Sequence, residues 1–371
     1  MTDAKHLEIR RAVCRALFVF DVGREVDLAA CRRLVHEMVQ PAQPAAGQAG
    51  PASLRIQAPP LRLDVPVDPP VLEGRSPEPV ADVGIYDFGA VALTLTIPAG
   101  PALADLCDLS CALSGNAALS AWARSVVQRL LDRIAPAITG IALADVSEDH
   151  LLFEVTDYGG DVALADSPRV LGPEFAKILR SERHTLSAQE VRHATATRVT
   201  RTPEDLVLLD WNAALVFHRE PAAVRAVLEL ANVQLLEMRF LDRRLDESLQ
   251  RTDEIVAQRV FWRPVFLPDS LRDAARRIAG RQVEAALLYE RVNNALKLVG
   301  DQYLARVYRA AAGRYRLAEW NAGIVRKLET IEDIYEKVHD HSTEIRMEIL
   351  EWIIIVLIAL ELVMPLLRGG S

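Results

Sequence analysis

The segment Trp352 to Leu367 reads WIIIVLIALELVMPLL and is apolar everywhere except Glu361 and the helix-breaking Pro365. Counted from Ile349 it supplies about nineteen residues, or about 28 Å of helix at 1.5 Å per residue, close to the hydrocarbon thickness of a bilayer. Trp352 is suited to a membrane interface and Arg368 to snorkelling toward head groups. A carboxylate near the bilayer centre costs on the order of a few kcal/mol, so Glu361 is expected to be protonated, paired with a neighbouring chain or turned toward protein. That points to self-association. The reading is one transmembrane helix over 349–368, with the lipid bilayer as partner and the body in the cytoplasm at the cytoplasmic membrane. The competing reading is a core helix or an oligomer seam, because the run is short for a span.

The remainder has the balance of a water-soluble body: 50% of the 371 residues are hydrophobic and 25% are charged. A net charge of -8 gives no general attraction to phosphate backbones, so broad nucleic-acid binding is not expected. Cys14, Cys31, Cys107 and Cys111 follow no secretory signal, which favours a reducing compartment. Cys107 and Cys111 fall one helical turn apart, yet no second Cys or His pair at zinc spacing follows them, so core packing is preferred to a metal role.

Along the chain, VCRALFVFDV over Val13–Val22 reads as a strand, and Asp27 caps a helix extending to Met38. Ten of the 20 prolines fall between Pro41 and Pro79, which marks residues 40–80 as a loop or arm with short edge strands at Leu54–Gln57 and Leu61–Val67. Val83–Ile97 reads as a bulged strand or tight hairpin, and helices are expected over Pro101–Leu113 and Ala117–Ile134. Further strands are expected at Leu151–Val155 and Leu206–Val216. Strands interspersed with helices indicate a mixed-sheet α+β domain.

After Pro221 the apolar positions Val224, Leu228, Ala231, Leu235, Met238, Leu245 and Leu249 recur at helical spacing and form a coiled-coil-like seam. Pro264 and Pro268 end that helix, and a stripe from Leu317 to Val338 continues a later one that begins near Tyr303. The expected organisation is a first strand and helix unit over 1–39, the proline-rich arm over 40–80 and the rest of the α+β domain over 81–219. A long helical hairpin or bundle follows over 220–348, and then the C-terminal anchor over 349–368.

No phosphate-cradling glycine loop, nucleophile elbow, paired CxxC, HExxH or dinucleotide fingerprint is present, so no catalytic residue and no cofactor are assigned. In YEKVHDHSTEIRMEILE, His341 and Glu344 share a helical face with His339 nearby, a combination able to hold a metal, although solvated charge is the plainer reading. Asp210, Trp211 and Asn212 form a polar group on an expected strand and mark either a binding cleft or a strand end. Asn293 and Asn294, disfavoured within a helix, are read as register residues or as a binding pair.

YDFGAV (Tyr86–Val91), LVLLDWNAALVF (Leu206–Phe217), YERVNNALKLVGDQYLARVY (Tyr289–Tyr308) and RKLETIEDIYEKV leading into ILEWIIIVLIALELV together carry a resemblance to a known family. The chain resembles the required-for-meiotic-nuclear-division-1 family, also called Rmd or YagE-like. The resemblance implies C-terminal anchoring, and in eukaryotic relatives large assemblies at the mitochondrial inner membrane that support protein synthesis. It brings no catalytic residues. The expectation is therefore a non-enzymatic, membrane-anchored oligomeric scaffold, with translation machinery as a partner. The alternative is an enzyme or a small-ligand or metal-binding module with a site between the α+β domain and the helices.

Overall fold

The computed structural model describes residues 7–36, 59–160, 163–259, 301–331 and 333. Its centre is one long strand, β1 (Leu7–Asp21), which successive side chains leave in opposite directions. Cys14, Ala16, Phe18 and Phe20 enter one apolar cluster, while Leu17 and Val19 enter another. The sequence follows with β2 (Glu25–Val26), α1 (Leu28–His36), β3 (Leu61–Pro66), β4 (Val80–Ile85) and β5 (Ala90–Pro98). Next come α2 (Leu103–Leu113), α3 (Ala117–Ile134), β6 (Ile138–Thr139), β7 (Ser147–Gly160), α4 (Ser167–Val170), α5 (Gly172–Arg180) and α6 (Ala188–Ala194). The described chain closes with β8 (Arg198–Val199), β9 (Leu206–Leu209), β10 (Ala213–Phe217), α7 (Ala222–Arg259) and α8 (Gln302–Arg314).

Eight strands form one mixed sheet in the order β3-β4-β5-β1-β7-β10-β9-β8, and β2 pairs with β6 separately. Within the large sheet β7 and β10 run parallel, and every other neighbouring pair is antiparallel. A parallel neighbour requires a crossover, and α4, α5 and α6 occupy it. Capping follows the expected chemistry. Asp27 Oδ1 accepts from the amides of Ala29 and Ala30 at 2.9 Å each, and Asn116 Oδ1 accepts from Leu119 at 3.0 Å.

One face of the sheet is apolar: Leu93, Leu95, Leu151, Phe153, Leu215 and their neighbours pack with residues of α1, α2, α3 and α5 in a single core cluster. The opposite face is buried as well, and there Leu230, Val233 and Leu236 of α7 meet Leu17, Val19, Ala90 and Ala92. Around that smaller patch the face is charged. Glu154, 2% exposed, lies 3.2 Å from Arg15 and 3.3 Å from Arg225 of α7. Glu229 of α7 accepts from Arg62 at 2.9 Å and from the Tyr86 hydroxyl at 2.7 Å.

The chain divides into two compact units, Met1–Phe240 with Glu290–Glu319, and Leu241–Tyr289 with Trp320–Ser371. The first holds the sheet, the first half of α7 and all of α8. In the second, Lys327 Nζ lies 2.6 Å from Asp242 and 2.7 Å from Asp246.

The fold is a mixed α+β one built on a large sheet, and it corrects the expectation of a transmembrane helix. Among the described residues no helix is long and apolar enough to cross a membrane. The long helix that is described, α7, carries Arg225, Glu229 and Arg239, charges that pair across a protein face and bar it from hydrocarbon. Residues 349–368, with Trp352, Glu361 and Arg368, lie outside the described residues, as does the proposed edge strand at Leu54–Gln57. A second difference concerns the helices. The seam positions from Val224 to Met238 lie in a stretch of α7 that belongs to the unit containing the sheet.

Candidate functional site

The sequence predicts a strand over Leu206–Val216, but its polar triplet divides the segment into the hairpin β9–β10, with Asp210, Trp211 and Asn212 in the turn. The Asp210 amide donates to the Ala213 carbonyl at 2.9 Å, and the Trp211 amide donates to Asp210 Oδ1 at 2.7 Å. The Asn212 carbonyl accepts from the Leu151 amide at 2.8 Å, which fastens the turn to β7. Asp210 is the buried member at 1% exposure, while Asn212 is exposed and Trp211 is 38% exposed.

Burying a carboxylate requires partners. Asp210 Oδ2 lies 2.9 Å from Arg180 Nε at the end of α5, and Oδ1 accepts from Arg314 Nε at 3.0 Å and also from Arg314 Nη2. Arg180 lies in turn 3.5 Å from Glu190 of α6. The turn, the crossover helices and α8 therefore converge on one carboxylate.

Beside it opens a cleft of about 330 Å³ lined by Thr197, Trp211, Arg309, Gly313, Arg314 and Arg316. All six belong to the unit that contains the sheet. The Arg316 guanidinium lies 5.8 Å from the centre of the Trp211 ring. Arg309 spends its Nε on the Ala305 carbonyl at 3.2 Å. Among the described residues, neither Arg309 nor Arg316 is ion-paired with a carboxylate. The cleft is thus cationic along one wall and aromatic at one edge.

Behind the cleft, Tyr315 is fully buried between Arg314 and Arg316. Its hydroxyl lies 3.3 Å from Asn232 Nδ2 of α7 and 3.4 Å from His150 Nε2, and the His150 and Tyr315 rings meet edge to face. Burial holds the His150 imidazole down to about 4, so at neutral pH it is uncharged. Burial likewise pushes the Tyr315 hydroxyl upward.

The sequence singled out Asp210, Trp211 and Asn212, and the structure brings the first two to this cleft while Asn212 serves the turn. Asn293, Asn294, His339, His341 and Glu344 lie outside the described residues. Sequence reasoning missed Arg309, Arg314 and Arg316. The apolar stripe through Leu317 suggested one uninterrupted helix, whereas α8 ends at Arg314 and a new helix covers 317–331. The available signal was the alternation Gly313-Arg314-Tyr315-Arg316, a glycine followed by a buried aromatic between two cations.

With this geometry in place, comparison with known proteins gives a family. A family described as the N-terminal domain of uncharacterized protein MJ0711 matches residues 11–223, more than half of the chain. The chain belongs to that family. The uncharacterized protein MJ0711 of Methanocaldococcus jannaschii is 23% identical over 224 residues, an alignment covering 60% of this chain and 66% of the relative. The chain thus spans just under two thirds of that relative's length. No solved structure matches. The family segment holds Arg180, Thr197, Asp210 and Trp211 but ends at Ala223, so the cleft joins a family wall to an arginine wall contributed by α8 and by Arg316 just beyond it.

Proposed function

We propose that this chain is a non-enzymatic binding module for a small anionic ligand, held in the cleft between the β9–β10 turn and α8. One observation carries the reading: three guanidiniums line a cleft on whose wall no carboxylate lies among the described residues, and two of the three make no ion pair there. Arginine stays protonated at any physiological pH and offers forked donors suited to phosphate or carboxylate. Such a wall holds charge without moving protons. The two groups with proton-transfer chemistry nearby, His150 and Tyr315, are buried behind it.

The measurement is calorimetric titration of the full chain with inorganic pyrophosphate at low and moderate salt. Binding is expected to weaken at least ten-fold in Arg309→Ala combined with Arg316→Ala, and to weaken as salt rises. Equal affinity in the wild type and the double variant defeats the proposal.

The Rmd or YagE-like resemblance adds self-association and contact with translation machinery to this reading as further proposals. A native-mass measurement of the full chain tests the first, with an oligomer expected and a monomer at micromolar concentration counting against it. Cosedimentation with ribosomes, lost on adding salt, tests the second.

A further inference from the structure

Three features of the cleft ask for more than a bare anion. The first is Arg316, whose φ of +51° is left-handed at the position just beyond the end of α8, where helices usually place glycine. A non-glycine residue there costs on the order of 1 kcal/mol, and strain of this kind persists where a side chain is being aimed. The strained backbone presents its guanidinium over the Trp211 ring.

The second feature is Gly313. A Cβ built on it meets nothing within 4 Å, so neither packing nor a positive φ demands glycine there. Glycine inside a helix nonetheless costs on the order of 1 kcal/mol relative to alanine. Its position on the cleft wall gives the reason, because any side chain would project into ligand space. The third feature is the division of labour between the two ends. Arg309 and Arg314 lie along α8, while at the other end the Arg316 guanidinium lies over the Trp211 ring. A ring stacked on both sides needs about 7 Å, twice a carbon van der Waals contact, so Arg316 need retreat only about 1 Å from its present 5.8 Å.

Resting on the anion-binding reading above, we infer that the ligand is a phosphorylated aromatic ring compound of mononucleotide size. Its ring lies between Trp211 and Arg316, and its phosphate lies on Arg309 and the free donors of Arg314. The cleft sits near the lower end of the volumes that small-molecule sites occupy, which suits one nucleotide and not two.

The test is calorimetric titration of the full chain with inorganic phosphate, adenosine, AMP and UMP. AMP is expected to bind ten-fold or more tightly than phosphate, the gain that one base stacked on an aromatic side chain supplies. Trp211→Ala should erase that gain while leaving phosphate affinity unchanged, and Trp211→Phe should restore most of it. Gly313→Ala should weaken AMP binding while raising the melting temperature, an opposition that a purely structural glycine does not produce. If AMP, UMP and phosphate bind alike and Trp211→Ala changes none of them, the ring inference falls and the anion reading stands. If no anion binds at all, both fall.

Discussion

The two faces of the eight-stranded sheet are made by the same strands and are both buried, yet they are built from different chemistry. Phe153 and Glu154 are adjacent in β7; one enters the apolar core and the other lies between Arg15 and Arg225. Apolar burial is non-directional and scales with area, so the first face supplies stability with little demand on geometry. Buried ion pairs give back much of their attraction as desolvation, but they penalise any misplacement heavily. On this comparison the charged face serves mainly to fix where α7 sits.

The largest expected effect is on the apolar face. Phe153→Ala should cost about 3–5 kcal/mol in chemical denaturation through lost contacts and the cavity left behind, and phosphate affinity per folded molecule should not change. Next comes the charged face. Glu154→Leu alone strands Arg15 and Arg225 and should cost about 2–3 kcal/mol, whereas Arg15→Leu, Glu154→Leu and Arg225→Met together should fall within about 1 kcal/mol of the wild type. If the triple replacement were as damaging as the single one, the contrast between the faces would collapse.

A third outcome concerns pH. His150 is held down to about 4 against an ordinary 6.5, so between those values the unfolded chain takes up a proton that the folded one refuses. Stability from this group is present above 6.5 and falls as pH drops toward 4. Glu148 works in the opposite sense. Burial pushes it up to about 7 from 4.5 despite its Arg239 partner, so its contribution falls as pH rises through that window. His150→Gln should therefore remove the acid-side loss, raising stability at pH 4.5 relative to pH 7 by about 2 kcal/mol; urea titrations at the two values check it. The smallest effect is Gly313→Ala, which should add about 0.5–1 kcal/mol to stability.

Much of the sheet domain was legible because its signals are local. Asp27 and Asn116 are side chains that cap helices wherever they fall, and β1, the β4–β5 hairpin and α3 follow from period and punctuation. Crossover helices α4–α6 and the short strands β2, β6 and β8 gave no such period. The DWN triplet stands out by its polarity, but its two apolar flanks give it the pattern of the middle of one strand. Arg180 and Arg314 were beyond reach for another reason: they stand 30 and 104 residues from Asp210, and nothing in either neighbourhood names the carboxylate that they share. The apolar run at 349–368 shows the converse. Length and hydropathy describe a segment in isolation, and among the described residues no helix is long and apolar enough to cross a membrane.

Tyr315 has a mechanical consequence. Because its ring is fully buried beside His150, with the hydroxyl 3.3 Å from Asn232, while its two chain neighbours line the cleft, the backbone between Arg314 and Arg316 is pinned from behind. Any adjustment to a guest therefore falls to the two arginine side chains and not to the chain that carries them.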